Sequence, residues 1–241
     1  MRKNAKENII VVCTIVLCFM LTLALCLALS GEGFLSVFKN DKSEDRVFYA
    51  VVTGGYNDVR MARADADLVK QRGGAGYVRT ADGIEIIYAV YKSEDEANNA
   101  LSSLGDKSAY IQKIEIGKGD FKWCKDDLKD AEKAALGYFD LAYDKMFEVS
   151  SALNGGSMSV EDAKTQIKVL YAQIEDIKSV FYQKTANCDK EQVTQTKLAL
   201  VTTLALLDNI DFSKSTAVVT SSIRYQIVQL VLCNQALMSV I

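Results

Sequence analysis

Val47-Phe48-Tyr49-Ala50-Val51-Val52-Thr53, closed by Gly54-Gly55, is the stretch on which the fold turns. Its β-branched and aromatic residues read as a strand, and a glycine pair is a breaker. Asn57 or Asp58 can then cap a helix running to about Gln71, with Val59, Ala62, Ala66 and Val69 on one side at helical spacing. Gly73-Gly74 stops it. A second strand, Gly76 to Thr80, turns at Asp82-Gly83, a hairpin signal, into Ile84-Glu85-Ile86-Ile87-Tyr88-Ala89-Val90-Tyr91. Ser93 and Glu96 have the spacing of a capping box. The helix they open carries Ala97, Ala100, Leu101 and Leu104 as its inner stripe and ends at Gly105, and Tyr110 to Ile116 is the last strand.

The order β-α-β-β-α-β predicts a small ferredoxin/RNP-like unit, a four-stranded antiparallel sheet with two helices on one face and the other face open. Internal repetition points the same way. Tyr56 precedes Ala62 by six residues, and Tyr91 precedes Ala97 by the same interval.

Residues 47–116 resemble the SPOR domains, peptidoglycan-binding modules of bacterial division and sporulation proteins. In that family the first half reads as an aromatic strand, then Val-Gln-x-Gly-Ser-Phe, then a helix with an alanine six residues on. Here Val51-Val52-Thr53-Gly54-Gly55-Tyr56 and Ala62 stand in those places. Ile86-Ile87-Tyr88-Ala89-Val90-Tyr91 and Ala97 are similar to the second half. Val52 replaces the family glutamine, Gly55 the serine, Ala89 the glycine and Val90 the proline. The resemblance implies peptidoglycan binding on the open face of the sheet.

If Val51 and Ile86 point to the helices, alternation sends Val52 and Ile87 to the open face. Phe48 and Ala50 from the first strand, Tyr77 and Arg79 from the second, and Ile111 and Lys113 from the fourth complete an apolar platform with a basic edge. A sheet face that met only water would alternate apolar with polar, so Val52 and Ile87 require an explanation. A glycan strand could lie on the platform, with Arg79 or Lys113 meeting a peptide-stem carboxylate. The C-terminal helices could cover it. Or the parity is off by one, which inverts every side. By the resemblance, the glycan-binding residues would be Phe48, Val52, Gly55, Tyr77, Arg79, Ile87 and Lys113. Gly54-Gly55 lacks the GxxxxGK[ST] pattern of a phosphate loop.

Upstream, the chain is uncharged from Ile9 to Leu29. At about 1.5 Å per helical residue this run reaches roughly 31 Å, enough to cross a bilayer core. Arg2, Lys3 and Lys6 precede it, so residues 1–8 form a cytoplasmic tail, 9–29 a transmembrane helix, 30–46 a tether, and the rest an extracytoplasmic region. Ala28-Leu29-Ser30 could instead serve as a signal-peptide cleavage site. The chain has net charge −3, and its few N-terminal cations leave the remainder still more acidic, which argues against nucleic acid. Histidine is absent, which removes Ser-His-Asp and Cys-His catalysis and His-ligated metals. Outside the apolar run, Cys124, Cys188 and Cys233 are scattered, with no CxxC pair, and allow at most one disulfide among them.

Beyond Gly117 the period switches to helices: Asp120 to about Leu153, a segment capped by Ser159 to about Lys184, Asp189 to Asp208, and Ser213 to Ser239. Short loops between four helices predict an antiparallel bundle over 117–241. The last segment is apolar enough to suggest a second membrane span, but Arg224, Gln226, Gln229, Asn234 and Gln235 interrupt it, and a buried bundle helix is the better reading. Asp140 and Asp144, four apart, are the one carboxylate pair a metal or acid/base site could use, with solvated surface groups as the default.

The chain thus reads as an α+β, single-pass protein of the bacterial cytoplasmic membrane, similar in plan to the stage II sporulation protein B type, with no cofactor, metal or catalytic residue. It would bind peptidoglycan glycan strands and act at the septum in division or sporulation, with division or sporulation proteins as partners. The competing readings are a membrane-anchored scaffold for other envelope proteins and a carboxylate-dependent wall hydrolase.

Overall fold

A computed structural model of the protein describes residues 46–240 apart from 82, 107, 118–130 and 132–134. The expected cytoplasmic tail, membrane span and nearly all of the tether lie outside the described residues. Ser43–Ile241 makes one compact unit, so the sheet and the C-terminal helices are parts of the same body.

The strands are β1 (Arg46–Tyr56), β2 (Tyr77–Arg79), β3 (Ile84–Tyr91) and β4 (Ala109–Ile116). They form one sheet in the order β2-β3-β1-β4, with every neighbouring pair antiparallel. Helix α1 (Val59–Gln71) follows β1, and α2 (Glu94–Leu104) follows β3. This is the split β-α-β arrangement that the order of elements predicts.

Asp58 caps α1, its carboxylate accepting from the Arg60 backbone N–H at 2.8 Å. At the other end Gly73 N–H donates to the Lys70 carbonyl and Gly74 N–H to the Val69 carbonyl, a Schellman closure with Gly73 at φ +82°. Ser93 occupies the N-cap of α2 in extended backbone, but its side chain makes no capping bond, so the predicted capping box is not formed. Gly54-Gly55 does not end the first strand either. The strand continues to Tyr56 through an irregularity in its pairing with β3, which Gly55 accommodates at φ +89°.

Among the described residues four longer helices follow: α3 (Tyr138–Asn154), α4 (Val160–Lys184), α5 (Glu191–Asp208) and α6 (Thr216–Val240). Ser159 caps α4 by accepting from the Asp162 N–H at 3.1 Å. Helices α3 and α5 each pack on both α4 and α6, which closes a ring of four. Helix α6 is long and apolar enough to span a bilayer, yet half of its apolar stretch is buried inside the protein. Two of its polar interruptions have partners in the sheet half. Arg224 donates to the Gly73 carbonyl at 3.0 Å, and Gln235 donates to the Glu115 carbonyl at 3.2 Å.

The described part of the molecule is therefore layered: α1 and α2, then the sheet, then α3 and α6, then α4 and α5 outermost. Between α1 and the sheet, Ala62, Ala66 and Ile86 are buried, with Tyr56, Val69, Val78 and Ile84 around them. Small residues at Ala62 and Ala66 let the helix approach the sheet closely. Gly76 belongs to the same contact, because a Cβ there would stand 2.5 Å from the Ala66 carbonyl oxygen.

Candidate functional site

The register settles which side chains share a face, because directly opposed residues of an antiparallel pair point the same way. Val52 opposes Ile87, which opposes Tyr77, while Thr53 opposes Ile86, which opposes Val78. Ile86 packs on α1, so Val52, Ile87 and Tyr77 face away from α1, as the strand alternation predicts. Phe48 and Ala50 join them by alternation along β1.

This face is not open. Phe48 is 1% exposed, and Val52 and Ile87 are 0% exposed. The Phe48 ring meets Phe139 edge-on at 5.7 Å between centroids and Tyr143 at 4.9 Å, both from α3. Tyr77 packs at 5.3 Å on Tyr225 of α6. The Tyr143 hydroxyl donates to the Val90 carbonyl, and Tyr91 meets Phe147 edge-on. Of the three explanations for an apolar sheet face, cover by the chain's own helices is the one these contacts match. The expected carbohydrate platform at Phe48, Val52 and Ile87 is thereby corrected: these side chains form an internal interface. The physical reason is length. Four more helices supply an apolar layer that a lone βαββαβ unit would lack, and burying each such side chain stabilises by about 1.5–3 kcal/mol.

The fourth strand requires a second correction. Lys113 opposes Tyr49 and Ile111 opposes Val51, so both lie on the α1/α2 side of the sheet. Tyr110, Gln112 and Ile114, opposite Val52, Ala50 and Phe48, occupy the other face. Lys113 is exposed and pairs with Glu115 at 2.6 Å. It cannot share a ligand with Arg79 across the covered face.

What remains accessible on that face is a polar cluster at the end where β1 passes through Gly54. Arg79 donates from Nε to Glu85 at 3.1 Å and from Nη2 to both Glu85 and Gln112. The Tyr110 hydroxyl donates to the other Glu85 oxygen. That hydrogen bond, reinforced by Arg79, holds the Glu85 carboxyl below the usual carboxylate range. The same bond to an anion raises the Tyr110 phenol. Tyr110 is 40% exposed, and its ring lies against Gly54, where a Cβ would sit 3.5 Å from it. Gly55 is exposed with open space about it. Of the seven sequence-derived candidates, Arg79 and Gly55 lie at this end. Tyr110 and Gln112 are on this face because β4 has the opposite parity to the expected one, and Glu85, in step with Ile87 on β3, joins them.

Asp140 and Asp144 do not form a free carboxylate pair. Arg46 reaches Asp140 at 2.7 Å, and Lys92 lies 2.5 Å from Asp144 and 4.0 Å from Asp140. Arg46 also stands over the Phe139 ring, and Lys92 over Tyr143. These four charges lace α3 to the ends of β1 and β3. Among the described residues no group of three His, Cys, Asp or Glu side chains gathers as a metal site would require. Cys188 is disulfide-bonded, and Cys233 is a free thiol.

Comparison of the chain with protein-family models, with curated proteins and with solved structures gives no match in any of the three.

Proposed function

We propose that the protein is a non-catalytic, membrane-anchored adaptor of the bacterial envelope, in which the βαββαβ unit and the helices together form one rigid body that engages another envelope protein. The observation that carries this reading is the sealing of Phe48, Val52 and Ile87 beneath α3 and α6, which leaves no broad apolar sheet face for a glycan strand. The uncharged run from Ile9 to Leu29, preceded by three cations, supports a single span with the C-terminal body outside the cytoplasm. The disulfide at Cys188 fits an oxidising compartment.

Glycan binding is the second reading. It rests on the resemblance of residues 47–116 to SPOR domains and on one feature of the accessible cluster, the half-exposed Tyr110 ring beside Arg79, Glu85 and Gln112. In this form the sugar would meet the rim of the sheet and not its centre.

Retention of the detergent-solubilised full chain on purified sacculi enriched in stem-free glycan separates the two. The adaptor reading expects no more retention than an albumin control. Specific retention that Tyr110→Ala abolishes would overturn it in favour of glycan binding. In cells, a photo-crosslinking residue at exposed Leu198 or Val201 should trap one discrete protein partner, and its absence at every exposed position tried would sink the adaptor.

A further inference from the structure

We draw no further inference here: the strongest candidate, the apolar surface patch of Leu198 and Val201 left exposed on α5 in the outermost helical layer, carries nothing because nothing in the structure shows what covers it.

Discussion

The Tyr143 hydroxyl, carried by α3, donates a 3.0 Å hydrogen bond to the carbonyl oxygen of Val90 in β3. Its ring lies against Phe48 and stacks on Phe147. One side chain thus ties a bundle helix to the two central strands, and burial drives its phenol well above the ordinary tyrosine range. Sheet and helices share a core through it, so the boundary at residues 116 and 117 is one of secondary-structure type and not of folding units.

Tyr143→Phe removes the hydrogen bond but keeps the ring. A loss of about 1 kcal/mol follows, or about 2–4 °C in Tm for a domain of this size. Calorimetry of Ser43–Ile241 should show a single endotherm shifted as a whole. Two endotherms, with only one displaced, would mean that sheet and helices fold separately.

Phe48→Ala should cost about 3–5 kcal/mol in urea unfolding, because it empties a site enclosed by Phe139 and Tyr143. Lys113→Ala, at an exposed position on the other face, should change stability by no more than about 0.5 kcal/mol. Similar small effects at both positions would contradict the covered face.

Two glycines separate strain from crowding. Gly76 has φ +57° and no room for a Cβ beside the Ala66 carbonyl, so Gly76→Ala adds a clash with backbone to a left-handed conformation and should destabilise by about 1–3 kcal/mol. Gly55, at φ +89° with open space, carries the conformational cost alone. Gly55→Ala should therefore be the milder of the two in thermal melts, and the reverse order would place the α1–sheet contact elsewhere.

Tyr138 is fully buried in the helical ring, where desolvation pushes its phenol up to about 12 from 10.0. A raised folded-state value means the unfolded chain releases its proton first as pH rises. The stabilisation is complete below pH 10 and is lost between 10 and 12, at about 1.4 kcal/mol per pH unit. Urea unfolding of wild type and Tyr138→Phe across this window should show a steeper decline in the wild type, and parallel profiles would show that Tyr138 is not sealed.

Much of the sheet half was legible because its signals are local. The Gly73-Gly74 closure of α1, the strand limits of β3 and the parity of Phe48, Val52 and Ile87 follow from turn chemistry and from period-two alternation within a few residues. The cap at Ser159 is equally local. The parity of β4 was not legible. Both faces of this sheet are covered, so β4 carries Ile111 on one side and Ile114 and Ile116 on the other, and alternation loses its information. The Tyr110 and Gln112 side of the cluster depends on that parity, whereas Arg79 and Glu85, on β2 and β3, do not.

By itself the sequence determined the elements of the sheet half, their order and the side of β1 and β3 that would be apolar away from α1, but not the turn at Gly137 that interrupts the expected Asp120–Leu153 helix ahead of α3. Only the tertiary structure decided what that apolar side meets. An apolar strand face records that it will be removed from water and not by which surface, because burial is non-directional and set by area. Here the covering surface comes from α3 and α6, at least twenty residues beyond the last strand, and the choice between a ligand and the chain's own helices rests on contacts such as Phe48 with Tyr143.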